Sequence, residues 1–438
     1  MNQASVLTAK YFKQSNDELV IDRVPVGSII GQYGTPLFVY DCSVVDQKLD
    51  VLRRALPANF TVSYSVKANP NPAILRHLLA KGCGLEIASA GELHLALEAG
   101  CAPGRILFAG PGKTGDELEL ALSHDIGEIH VESCLEAERI GVICRRLGKK
   151  ARVALRVNPS GEAQGGAMRM GGKPAPFGVD EENLDIVLDS LLSNPNLEFW
   201  GIHLFTGTQI LDHAILVNQY RKGLEIGRRV SRRIARPLHT IDFGGGLGIP
   251  YFPNDESLDI EKLKEGLAQL FRAVGNDSHF EGTKFVVEPG RYLIGEAGIY
   301  ITRVNDIKIS RGKKFLILDG GMNHHLAASG NLGQLIKRNF PVALLNKLQQ
   351  KTCETVDVVG PLCTPLDTLA RDVDLPLAEV GDWMGIFQSG AYARAASPLG
   401  FLSHLSPAEV LIENGLARLI RRRGTYRDLL ADLPCDQH

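Results

Sequence analysis

The chain has no long apolar run. No stretch reaches the ~18 residues a bilayer span requires, so no membrane-spanning helix is expected. An excess of either charge is missing too: 48 basic residues stand against 50 acidic ones, a formal net charge of −2. That balance gives no reason to expect nucleic acid or a membrane surface as a partner. The eight cysteines, Cys42, Cys83, Cys101, Cys134, Cys144, Cys353, Cys363 and Cys435, form no Cys-x-x-Cys pair. Their scatter argues against a zinc site and a disulfide framework and for a reducing cytoplasm. Most of them read as small core residues. The start, Met1-Asn-Gln-Ala-Ser, has no basic stretch followed by an apolar core, so no signal peptide is expected. Internal repeats and low-complexity segments are missing as well.

What is present is length and alternation. A chain of 438 residues with 44% apolar content suggests a globular protein of two domains. From about residue 37 to 290, short runs rich in Val, Ile and Phe alternate with helical patterns. The runs are Leu37–Tyr40, Phe60–Val66, Gly84–Ala88, Arg105–Ala109, Glu128–Glu132, Arg152–Val157, Phe199–Phe205, Thr240–Phe243 and Lys284–Val287. Nearly continuous apolar runs are the mark of parallel strands buried on both faces. Between the second and third runs, Asn71 is a helix N-cap, Pro72 suits the first helical position, and Gly82 ends the helix. Eight or so such units fit an α/β fold, a TIM-like (β/α)8 barrel over residues 36–290. Chemistry in such a barrel lies at the C-terminal ends of the strands, which here carry Lys67, Glu86, Arg156, Phe205, Gly244 and Glu288. Beyond residue 291 the runs Tyr300–Ile309, Lys314–Asp319, Thr355–Val359 and Asp382–Phe387 lack long helices between them. They suggest a second, antiparallel β domain over residues 291–438.

Five segments carry chemistry. Lys67 stands at the mouth of a buried strand, a costly place for an ammonium without a task. Gly244-Gly245-Gly246 follows another strand, where glycines let backbone N–H groups approach a phosphate. A dinucleotide fingerprint fails there, because positions 249 and 250 are Ile and Pro. Glu288 closes Phe285-Val-Val-Glu288, and Gly360-Pro-Leu-Cys363 and Ser389-Gly-Ala-Tyr392 complete the set. Singly they could be a surface lysine, a tight turn, a strand-end salt bridge, a core cysteine and a core tyrosine. Together they read as one pyridoxal 5'-phosphate (PLP) site.

In this order the motifs resemble the fold-type III PLP-dependent decarboxylases, the family of diaminopimelate, ornithine and arginine decarboxylases. The resemblance runs from about residue 20 to 425. It implies an alanine racemase-like fold, with residues 1–35 joining the C-terminal β domain. It makes Lys67 the Schiff-base lysine, Gly244, Gly245, Gly246, Thr208 and Tyr392 the phosphate side, and Glu288 the acid at the ring nitrogen. Arg156 and Glu86 become pocket groups, though each could equally be half of a buried ion pair. Arg291 matches an arginine near the substrate. Cys363 matches a thiol that crosses a homodimer interface and returns a proton to Cα. A racemase would place an arginine where this chain has Glu288.

Departures from the pattern bear on the substrate. Phe205 replaces a histidine that stacks on the cofactor ring, which keeps stacking without proton handling. His203, two residues earlier, is taken as structural. Diamine-forming members put an acid directly after the cysteine to hold a distal ammonium; this chain has Thr364. A buried ammonium without a carboxylate would cost several kcal/mol, so free ornithine, lysine and diaminopimelate are poor candidates. Thr364-Pro365 and His324-His325 resemble a subgroup acting beside acyl carrier proteins, in butirosin biosynthesis and in exosortase-type polysaccharide systems. The expected substrate is an aminoacyl group on such a carrier, with Arg291, Thr364, His324 and His325 as candidate substrate contacts and no metal. Diaminopimelate decarboxylation and a lapsed, regulatory relative remain the alternatives.

Overall fold

The computed structural model describes residues 3–160, 168–169, 174–334 and 336–434. Cys435 lies outside them. The chain divides into two compact units, one of Lys48–Pro250 and Glu256–Tyr292, the other of Met1–Gln47, Tyr251–Asp255 and Leu293–His438.

The first unit is a closed parallel barrel. Its strands are β1 Phe60–Ser65, β2 Gly84–Ile87, β3 Ile106–Phe108, β4 Glu128–Val131, β5 Ala151–Asn158, β6 Leu197–Leu204, β7 Thr240–Asp242 and β8 Lys284–Val287. Each pairs in parallel with the next in sequence, and β8 returns to β1. Helices follow the strands, and local sequence sets their ends. The Asn71 side chain accepts from the Ala73 amide at 3.0 Å, Pro72 opens the helix Pro72–Ala80, and Gly82 takes a φ of +84° beyond it. Behind the barrel wall, Phe60, Phe243 and Phe285 pack with Tyr220 and Phe271 at ring separations of 4.7–6.3 Å. Burying each such ring stabilises the unit by roughly 1.5–3 kcal/mol. The cluster thereby fixes β1, β7 and β8, whose ends carry Lys67, the triple glycine and Glu288.

The other unit is built on a mostly antiparallel sheet. Its path runs Thr368–Leu375, Glu354–Val359, Lys313–Leu318, Gly298–Ser310, Leu37–Asp41, Ala408–Glu413, Leu416–Arg421. Two neighbours are parallel, Lys313–Leu318 with Glu354–Val359 and Leu37–Asp41 with Ala408–Glu413. Leu37–Asp41 corrects the expectation that this run belongs to the barrel. All five of its residues are buried, and a run buried on both faces reads alike in either sheet; periodicity carries no record of its partner. Among the described residues no helix is long and apolar enough to cross a membrane.

Candidate active site

At the C-terminal end of β1 the chain enters a short 3-10 turn, Val66–Ala68. Lys67 stands on it. Its Nζ lies 3.2 and 3.3 Å from the two carboxylate oxygens of Glu86, which is 1% exposed on β2. Ser65 Oγ donates to the same carboxylate. The ammonium also lies 5.9 Å from the centre of the Phe205 ring, just past β6. Carboxylate and ring therefore hold the lysine head over the barrel mouth.

After β7 comes Gly244-Gly245-Gly246. A Cβ at Gly244 would lie 2.5 Å from the Leu204 carbonyl, and one at Gly245 2.6 Å from the Glu288 carbonyl. Gly244 and Gly246 also have φ of +66° and +107°, a region open to glycine at little cost. Among the described residues, the amides of Gly245 and Gly246 donate to no carbonyl or side chain. Glu288 N donates to the Gly244 carbonyl at 2.8 Å, so one junction shapes the loop and places Glu288. Thr208 lies on the short strand Gly207–Thr208, paired with Met168–Arg169.

Arg156, on β5 and buried, donates to Glu132 at 2.7 Å. Glu132 also accepts from the amides of Gly110 and Gly178, both at 2.9 Å. Burial pushes the Glu132 carboxyl up, but the Arg156 charge and these bonds outweigh it and hold it below its usual range. The buried ion pair is thus real, and it ties the ends of β4 and β5 to the loops beside them. Glu288 is 5% exposed, with Oε2 3.5 Å from His203 Nε2. Its Oε1 has no hydrogen-bond partner among the described residues.

Residues 43–295 match the family model described as the pyridoxal-binding domain of pyridoxal-dependent decarboxylases. The chain belongs to that family. This decarboxylase is 37% identical over 414 residues to the L-glutamyl-[BtrI acyl-carrier protein] decarboxylase of Niallia circulans, covering 94% of this chain and 96% of that one. It is 34% identical over 424 residues to the diaminopimelate decarboxylase of Aquifex aeolicus, covering 95% and 96%. The crystal structure of diaminopimelate decarboxylase from M. jannaschii superposes with a TM-score of 0.90 at 27% identity, covering 99% of each chain. The chain is therefore a PLP-dependent decarboxylase, a lyase. The residues fit the cofactor: the glycine loop leaves space and unpaired amides where a side chain would intrude, and Glu288 Oε1 is a buried acceptor with no hydrogen-bond partner among the described residues.

The decarboxylase's remaining candidates lie in the sheet-based unit. Cys363 is exposed on a loop that Asp367 knits together. The Asp367 carboxylate accepts from Met322 N at 2.6 Å and Leu362 N at 2.9 Å. Thr364 Oγ1 accepts from Leu366 N at 3.3 Å. Tyr392 is half-buried with a φ of +53°, an uncommon backbone for a tyrosine. Arg291, in the barrel unit, opens the short helix Arg291–Ile294.

His324 and His325, expected as substrate contacts, are bonded inside their own unit. His324 is 2% exposed and shares its ring nitrogens with Tyr300 Oη at 2.9 Å and the Leu405 carbonyl at 3.1 Å. His325 is fully buried between Ser389 Oγ at 2.9 Å and the Ala328 amide at 3.3 Å. With every nitrogen engaged inside their own unit, these imidazoles hold the loop. Burial pushes them down to about 4 and about 3, so both are neutral near pH 7.

Sequence reasoning passed over His130 and Asp242, and took His203 as structural. All three lie in the barrel interior within 4.0 Å of one another's acids or of Glu288. Polar letters inside otherwise apolar strands, Glu128-Ile-His-Val131 and Gly201-Ile-His203, were the available signal.

Proposed function

We propose that this enzyme removes the α-carboxylate of an aminoacyl group presented on an acyl carrier protein, working in the cytoplasm as a homodimer with shared active sites. The observation that carries the carrier reading is Thr364. It follows Cys363 with a hydroxyl engaged in its own turn, where a substrate bearing a free distal ammonium would need a carboxylate. The relative from Niallia circulans, whose name specifies a glutamyl group on a carrier protein, supports the same choice.

On this reading each candidate takes a role. Lys67 is the covalent anchor for the cofactor, and Glu86 orients its nitrogen. The loop Gly244-Gly245-Gly246, through the amides of Gly245 and Gly246, holds the phosphate with Thr208 and Tyr392. Phe205 covers the ring face, and the Arg156–Glu132 pair braces the barrel rim. Glu288 accepts from the ring nitrogen. Bound PLP supplies the sink for the electron pair left on Cα when CO2 departs. Cys363 Sγ–H, contributed by the partner chain, returns a proton to Cα. Arg291 and Thr364 face the substrate.

CO2 release by the PLP-loaded protein tests this reading. Free diaminopimelate, ornithine, lysine and glutamate are compared with aminoacyl groups loaded on an acyl carrier protein. Activity confined to the tethered substrates is expected. Efficient turnover of free diaminopimelate would overturn the carrier assignment and leave the decarboxylase assignment intact.

A further inference from the structure

Even-numbered strands fill one layer of the barrel with polar side chains, where such layers are usually aliphatic. Strand β2 gives Glu86, β4 gives His130, β6 gives His203, and the end of β8 gives Glu288, each 5% exposed or less. The two imidazoles stack at 4.3 Å and 25°. Beside them β7 contributes Asp242, 3.9 Å from His130, and β4 contributes Glu128, 3.2 Å from His130 Nε2. Among the described residues, all four ring nitrogens lack a hydrogen-bond partner, as do Asp242 Oδ2 and Glu288 Oε1. Each such buried group costs about 1–3 kcal/mol, so packing alone does not account for the set.

Distances sort the groups. Glu128 Oε2 is taken by Thr240 Oγ1 at 2.7 Å, and Oε1 faces His130 Nε2. That leaves His130 Nδ1 turned toward Glu288 Oε1 at 4.0 Å. His203 Nε2 faces Glu288 Oε2 at 3.5 Å. Burial first, then the neighbouring His130 and Arg156, hold His203 well below its ordinary value against the weaker pull of Glu86 and Glu132, so it is a neutral ring with a single N–H. Burial first, then the Glu288 charge, push the Asp242 carboxyl well above its ordinary range. Its Oδ1 already accepts from Gly244 N at 2.8 Å.

We propose that His203 is a positioning residue for Glu288. Its Nε2 sits against one carboxylate oxygen and leaves Oε1 as the open acceptor for the cofactor's ring nitrogen, while His130 stacks on His203 and fixes its plane. This rests on the assignment of Glu288 to the ring nitrogen. A carboxylate held on one side only keeps its acceptor aimed without help from water.

The test measures the dissociation constant of the apoenzyme for PLP and for 1-deazapyridoxal phosphate, which has carbon in place of the ring nitrogen. Wild type should prefer PLP. His203→Leu should lose about tenfold in PLP affinity, the effect of one charge-assisted hydrogen bond, with little change for the deaza compound. His203→Gln, which keeps an N–H, should restore the preference. Equal losses for both ligands would reduce His203 to a packing residue and overturn the proposal. So would an undiminished preference in His203→Leu, or equimolar zinc in purified wild type that the variant lacks. Should His203→Leu fail to fold, His203→Phe keeps a flat ring against His130 and carries the same comparison. Glu288→Gln separates the two levels: if it retains the preference for PLP, the Glu288 assignment itself falls.

Discussion

At Gly245 the backbone leaves no room for a methyl group, because an added Cβ would meet the Glu288 carbonyl at 2.6 Å. That carbonyl belongs to the junction joining the glycine loop to β8, so neither side can yield without moving the other. Gly245→Ala should therefore weaken PLP binding by on the order of tenfold or more while leaving the far-ultraviolet circular dichroism of the barrel unchanged. Unchanged affinity would mean that the loop does not cradle the phosphate. The glycines, Lys67 and Glu288 were legible in the sequence because each interrupts a run whose pattern demands something else. His203 and Asp242 were not, since a polar residue within a strand has no signature that separates an ordinary buried partner from a positioning one. Only the closed barrel, bringing β4, β6, β7 and β8 to one axis, puts them beside Glu288.

At the scale of the element, the loop Asp319-Gly-Gly-Met-Asn-His-His325 is held by neutral imidazoles. The sequence showed that it departs from its relatives but not why. On paper the adjacent histidines are candidate substrate contacts, and only the fold shows both rings buried and bonded within their own unit. Their folded values, about 4 for His324 and about 3 for His325, lie below the ordinary value near 6.5. Above pH 6.5 both states are neutral and the shift has no effect. As pH falls below 6.5 the unfolded chain binds protons that the folded chain refuses, so stability is lost down to the folded values. The loss is about 1.4 kcal/mol per pH unit for each histidine. His325→Gln should melt below wild type at pH 7.5 through the weakened Ser389 contact, and the gap should narrow by about 2 kcal/mol by pH 5. A gap that stays constant with pH would show that His325 does not titrate differently on folding. Comparing variant with wild type cancels buried Asp319 and Asp367, whose raised values act with the opposite sign.

For the whole molecule, the division of candidates between two units sets the decisive experiment. Lys67, Glu86, the glycine loop and Glu288 belong to the barrel unit, whereas Cys363, Thr364 and Tyr392 belong to the sheet-based unit. If Cys363 serves the partner's site, each active centre draws Lys67 from one chain and Cys363 from the other. Lys67→Ala and Cys363→Ala homodimers should then each fall far below wild type. A heterodimer of the two has one centre with both residues intact and one with neither. Random reassortment gives about half heterodimers, so a mixture should recover about a quarter of the wild-type rate. Different affinity tags on the two variants allow the heterodimer to be isolated, and it should then carry about half. An isolated heterodimer no more active than its parents would mean that Lys67 and Cys363 act within one chain, and would remove the reason the proposal gives for dimerisation.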